Sequence, residues 1–443
     1  MLNKLQNDIF LFGLLAAGFI GCWLYVSAYD LMAIGSLLAF VSQMSLLLFF
    51  AKEDRTTYSE KTLFVVVFVY SLLLGTVFMA LSYIYDGDTF MFTKSDAMEY
   101  YNVSMRASDV GFDNNAAYIF EKYHFEDWGS LLFDSFLMSL IPDKLFLNFA
   151  YMLTGAISSV LLFRICRHYM SDAYAFVGSL AYGTSSFLIF FHCTFLKESL
   201  FSCMVVCTMY HLCRLVHKES GFAPFGFAIF LGILFLFRPA VAAFSIMSFF
   251  VYFAIKQHGS ALSLFIYMTV LVLFIVALRS MMDMVDRYTA GSDYKQEISG
   301  NAQAYSGGFN TFVNMFGGFF GPFPTLFTKA NSEPSPIQFY ASGLTYRLFL
   351  ILPFLTGLYL IFKNKVLELF PIVVFILVEM LATGMVSASL ELRKVMPHIS
   401  LTYIVSFYGL YNFQNIKLFQ RIPSASIYII AIGILLLWNV IKG

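Results

Sequence analysis

Thr62-Leu-Phe-Val-Val-Val-Phe-Val-Tyr-Ser-Leu-Leu-Leu-Gly-Thr-Val-Phe-Met-Ala-Leu-Ser-Tyr-Ile-Tyr85 carries no charged side chain, and Asp86-Gly-Asp88 follows it at once. A helix needs about 20 mostly apolar residues to cross a bilayer, and this run meets that length. Similar runs recur on both sides. They lie near 9–28, 31–51, 145–168, 172–192, 197–215, 222–238, 240–255, 259–278, 346–362, 366–389, 396–413 and 424–441, which makes thirteen expected spans. Ser130–Ile141 is apolar but short, and reads as an interfacial or re-entrant helix.

The composition agrees. Of 443 residues, 59% are hydrophobic and only 12% are charged, with a mean hydropathy of +0.76. A soluble domain carries about 25% charged residues, so this chain has too little charge to coat a water-facing surface. Soluble enzymes, disordered chains and nucleic-acid binders are excluded. Lys+Arg and Asp+Glu balance at 27 each, so net charge names no partner. The six cysteines sit in apolar runs with no CxxC and no metal spacing, and read as buried free thiols. The first apolar run lacks a small-residue cleavage site, and a retained amino terminus is expected.

Basic residues set the orientation. Alternate connections hold Lys4; Lys52, Arg55 and Lys61; Arg164 and Arg167; Arg214 and Lys218; Lys256; Lys363 and Lys365; Lys417 and Arg421. These are expected to be cytoplasmic, with the amino terminus inside. Both long loops, 86–143 and 279–345, then lie outside. The expected architecture is an all-α polytopic membrane protein. It divides into a transmembrane hairpin (1–61), a core that includes the acidic outer loop (62–278), a second large outer loop (279–345) and carboxyl-terminal transmembrane helices (346–443).

The short outer turns hold Lys197 and Glu198, Arg238, and Glu391, Arg393, Lys394 and His398. Cations on the outer side, facing an acidic loop, predict a polar cavity at the membrane boundary. Snorkelling or simple ion pairing at helix ends is the plainer account of any one of them. Such a cavity suits a lipid-linked sugar phosphate. Arg or Lys would bind the phosphate and stabilise the charge that grows as the glycosidic bond breaks. A carboxylate would take the acceptor's proton, and water must be kept out.

The leading base candidate is Asp96 in Thr93-Lys-Ser-Asp-Ala-Met-Glu-Tyr-Tyr101. On a helix, Asp96, Glu99 and Tyr100 share a face at i, i+3 and i+4. Asp86-Gly-Asp88 offers a second acidic pair: two oxygen donors for a divalent cation such as magnesium or manganese, or an ordinary turn. Glu379 falls inside an apolar run, where a carboxylate is either functional or held by a hydrogen bond between helices. Arg279, Asp283 and Arg287 follow i, i+4 spacing. Gly317-Gly-Phe-Phe-Gly-Pro-Phe-Pro324 reads as a stiff aromatic loop, and Asn102-Val-Ser104 is an isolated sequon.

Four patches give a family resemblance: Asp96-x-x-x-Tyr100, Phe195-Leu-Lys-Glu-Ser-Leu200, Phe237-Arg-Pro239 and Arg393-Lys-Val-Met-Pro397. In this order and sidedness the chain resembles the C-type (GT-C) membrane glycosyltransferases, of the bacterial surface-polysaccharide kind. The resemblance covers roughly residues 62–413. It implies an all-helical fold and an inverting transfer of one sugar from a polyprenyl-phosphate carrier to a glycan or lipid acceptor, outside a bacterial plasma membrane. It implies Asp96 as base, with Lys197, Arg238 and Arg393 on the phosphate and Tyr100, Glu198, Lys394 and His398 lining the site. Asp96 is followed by Ala97, where many members carry a second acid, so Asp88 and Glu99 remain alternatives to it. The chain is also similar to O-antigen and exopolysaccharide polymerases, which join lipid-diphosphate-linked repeats and for which Arg238, Arg279, Arg287 and Arg393 serve equally well. A transporter or flippase is a third reading, weakened by the lack of a visible repeat.

Overall fold

The computed structural model describes residues 6–7, 9–18, 31–51, 58–90, 94–256, 269, 337–386, 395–413 and scattered positions from 426 to 437. Among the described residues every regular element is helical. In chain order these are α1 (Ile9–Gly18), α2 (Leu31–Phe50), α3 (Glu60–Asp86), α4 (Lys94–Val110), α5 (Phe112–Lys122), α6 (Trp128–Leu140), α7 (Lys144–Cys166), α8 (Asp172–Gly183), α9 (Ser186–Cys193), α10 (Lys197–Val216), α11 (Ala223–Phe235), α12 (Pro239–Lys256), α13 (Ile337–Lys363), α14 (Phe370–Val386) and α15 (Met396–Asn412). The five described cysteines are buried free thiols.

Five described helices are long and apolar enough to cross a membrane: α3, α7, α10, α12 and, from Ser342, α13. A sixth span forms if α8 and α9 are taken together. The thirteen expected runs include stretches outside the described residues, among them most of 259–278, and helices such as α11 that stop short of a full span.

The structure adds detail to three stretches of the sequence. The run 172–192 is not one helix, because it bends by 44° between α8 and α9. Thr184 and Ser185 leave the helical path there, and the Thr184 hydroxyl donates back to Leu180 O at 2.7 Å. The loop placed at 279–345 ends earlier, since α13 already begins at Ile337. The segment 86–143 holds α4, α5, a 3₁₀ turn at Phe125–Asp127 and α6.

Local chemistry sets the ends of the spans. Ser59 caps α3 by accepting from Thr62 N at 3.1 Å, and Gly87 ends it in the left-handed region at φ 72°. Asp143 caps α7 through Leu145 N and Phe146 N. Near α7's far end, Arg164 grips Glu60 with two nitrogens, at 2.9 and 2.6 Å, tying α7 to the start of α3. The helices α13 and α15 meet backbone to backbone. A Cβ on Gly409 would fall 2.0 Å from Pro353 O, and one on Gly357 would fall 2.1 Å from Val405 O. Small residues permit such close approach where no hydrophobic force separates helix from lipid.

Candidate active site at the start of α10

The turn joining α9 to α10 is strained. Phe195 is fully buried and adopts φ 54°, a region bulky side chains avoid. Its ring is held among those of Phe90, Tyr101 and Tyr151, at centroid distances of 5.9, 5.8 and 6.4 Å. Two residues later α10 opens on Lys197 and Glu198, so packing around Phe195 fixes where both charges emerge.

Lys197 pairs with Asp127, and both side chains are nearly buried. The same oxygen, Asp127 Oδ1, accepts the Tyr100 hydroxyl at 2.8 Å. Glu198 is buried and pairs with Arg238, whose Nη2 lies 3.4 Å from Oε1, while the other carboxylate oxygen, Oε2, has no hydrogen-bond partner. Arg238 also lies over the Phe201 ring at 5.3 Å. Two turns into α7, Tyr151 is buried and donates to both oxygens of buried Asp134, at 3.0 and 3.1 Å. Burial pushes the Asp134 carboxyl well above its usual range, and the Tyr151 hydrogen bond works in the opposite direction.

The loop helices close over this cluster. Gly129, on the first turn of α6, donates its amide to Leu236 O at 3.1 Å. Its Cα faces Phe237 so closely that a Cβ would lie 2.6 Å from the ring. Glycine is thus what lets α6 dock on the Phe237-Arg238-Pro239 turn.

Of the residues singled out in the sequence, the structure brings Tyr100 and Lys197 together on Asp127, and Glu198 together with Arg238. Glu99 is exposed and accepts the Tyr123 hydroxyl at 3.0 Å; burial, then this bond, raise the Tyr123 hydroxyl's pKa. Glu99 and Tyr100 therefore serve different partners. Asp96 lies on the first turn of α4, with a side chain outside the described set. Glu391, Arg393 and Lys394 lie outside the described residues, as do Arg279, Asp283, Arg287 and Gly317–Pro324. His398 is buried on α15 and pairs with Glu379 of α14. Asp86 ends α3, and Asp88 accepts the Phe90 amide at 2.7 Å. Among the described residues no group of three or more His, Cys, Asp or Glu could hold a metal.

Sequence reasoning missed three residues. Asp127 was one acid among many in its loop. Asp134 had a usable signal, as the lone charge in the apolar stretch 130–141. Lys144, the first residue of α7, has its ammonium over the Phe90 ring, and no spacing in the sequence marks it out.

No curated protein and no solved structure is matched by the chain. Residues 135–281, from α6 through α12 and beyond, match the model of the dolichyl-phosphate-mannose-protein mannosyltransferase family. That family is of the C type, so the resemblance read from the sequence is upheld over these residues, and the match indicates a membrane glycosyltransferase.

Proposed function

We propose that the chain moves a single sugar, with inversion, from a polyprenyl-phosphate carrier to a cell-surface glycan or lipid acceptor, outside a bacterial plasma membrane. The observation that carries this reading is the pair of ion pairs opening α10, roofed by the loop helices. Two cations from distant segments are each paired with a buried carboxylate at this helix end.

The residues divide the work. Glu198 takes one N–H of Arg238, which leaves other guanidinium donors for a phosphate. That cation would stabilise the charge on the departing polyprenyl phosphate. Lys197 is engaged by Asp127, so its first task is to hold that carboxylate and, through it, Tyr100 and α4. The base is proposed to be Asp96, on the first turn of α4, which takes the proton of the acceptor hydroxyl as its oxygen attacks the anomeric carbon. Glu99 and Asp88 are weaker candidates, because each already accepts a hydrogen bond within the fold. The α6 roof over Phe237 keeps water from the donor.

The test is transfer by the purified full-length chain in nanodiscs, from labelled polyprenyl-phosphate sugars to a host lipid extract. The wild type is expected to add one residue. Asp96→Asn is expected to abolish transfer without lowering the melting temperature. An unimpaired Asp96→Asn enzyme removes Asp96 as base. A ladder of repeats from lipid-diphosphate substrates would instead mark a polymerase, and no transfer from any lipid-linked sugar would overturn the reading.

A further inference from the structure

Asp86-Gly-Asp88 has the spacing of a divalent-cation motif, but here it forms a helix stop. Asp86 is the last residue of α3, and Gly87 turns the chain at φ 72° while donating its amide to Tyr83 O at 3.0 Å. Asp88 then folds back, with Oδ1 on the Phe90 amide. Beside this turn stands Lys144, the first residue of α7. Its ammonium lies 3.2 Å from the centroid of Phe90, 5.3 Å from that of Phe195 and 5.7 Å from that of Tyr101. Phe90 is also the residue whose amide Asp88 Oδ1 accepts at 2.7 Å, so carboxylate and ammonium flank the same residue. Ring faces attract a cation, and a partly desolvated one is held more strongly.

These residues do not fit a magnesium or manganese ion. Such an ion asks for about six oxygen ligands in regular geometry. One Asp88 oxygen is turned to a backbone amide, the adjoining walls are aromatic faces, and the neighbouring ammonium would repel a second cation. We propose that Lys144 is the built-in cation of this acidic turn, standing beside Asp88 where a divalent ion would otherwise sit. It thereby fastens the end of α3 to α4, α7 and the strained Phe195 turn. Because Phe195 leads directly into Lys197 and Glu198, Lys144 is a positioning residue for the start of α10. For the transfer reaction proposed above, on which this consequence rests, no added divalent cation is required at this turn.

Thermal unfolding of the full-length protein in detergent tests the proposal without measuring sugar transfer, so its failure and that of the transfer reading are separable. The wild-type midpoint is expected to be unmoved by manganese chloride or by EDTA. Lys144→Met and Asp88→Asn are each expected to lower the midpoint, and the double variant to lower it by less than their sum. Lys144→Arg, which keeps the charge, is expected to stay indifferent to manganese. A wild-type midpoint that rises with manganese, and no longer does so in Asp88→Asn, would overturn the proposal, as would strictly additive single variants. The manganese comparison of wild type with Asp88→Asn decides the matter even if Lys144→Met does not fold.

Discussion

The Tyr100 hydroxyl and the Lys197 ammonium meet on one oxygen of Asp127. This contact joins α4, the 3₁₀ turn and α10, segments far apart in the chain, and sets the loop helices over the end of the span. Removing one partner of a nearly buried ion pair strands the other, at a cost of about 3 kcal/mol or more. Asp127→Asn should therefore destabilise the protein by roughly that amount, read by denaturant unfolding. Adding Lys197→Met should restore much of the loss. Equal loss in single and double variants would show that the pair does not organise this junction.

The docking of α6 on the α11–α12 turn depends on Gly129. Gly129→Ala forces a methyl group into the Phe237 ring, and overpacking of this kind costs about 1–3 kcal/mol. The expected result is a lower melting temperature together with weaker donor binding, because the displaced ring adjoins Arg238. Phe237→Leu in the same chain should relieve both. Persistent weak binding after the melting temperature recovers would separate the roof from the site.

His217 gives stability a pH dependence on the opposite end of α10. Its ring stacks on His168 at 4.6 Å and bonds to the Tyr169 hydroxyl at 2.9 Å. Burial, then the neighbouring His168, hold its pKa below the usual value, against the pull of Glu219 and Glu368. The unfolded chain thus binds the proton more readily, near about pH 6.5. The contribution of His217 is present above that pH and is lost as pH falls toward the lowered folded value. Melting curves from pH 8 to pH 5 should show this decline, and His217→Gln should flatten it. An unchanged slope in the variant would assign the decline to other groups.

Asp134 has the opposite sign. Burial raises its folded pKa, so the unfolded chain gives up the proton first. Stability from this residue is greatest at low pH and declines as pH rises through the raised value. Asp134→Asn keeps an oxygen for the Tyr151 hydroxyl and cannot ionise, and should be the more stable protein at alkaline pH. A less stable Asn variant at every pH would show that the carboxyl itself is needed.

The apolar runs made the helices legible, because long uncharged stretches admit few structures in lipid. Lys197, Glu198 and Arg238 stood out for a related reason: charge is rare here, and the structure finds each of them in an ion pair. The break at Thr184-Ser185 was hidden, since small hydroxylated residues in an apolar run suit a helix and a bend alike. Asp127 was hidden because its importance comes from Lys197 and Tyr100, which only the fold brings to it. Asp86-Gly-Asp88 was ambiguous in the sequence for a physical reason: two carboxylates around a glycine serve a metal and a helix stop equally well, and only the fold brings Lys144 to the neighbouring Phe90 ring.

Arg238, held by Glu198 at the start of α10, is proposed to bind the phosphate of a lipid carrier. Binding of polyprenyl phosphate, without sugar, to the wild type and to Glu198→Gln/Arg238→Gln tests it most directly. The double substitution removes both charges, so neither is left buried alone; Glu198→Gln is isosteric and Arg238→Gln shortens the side chain. The account predicts at least a tenfold loss of affinity, about 1.4 kcal/mol, with the melting temperature nearly unchanged. Undiminished binding by a folded double variant would contradict it.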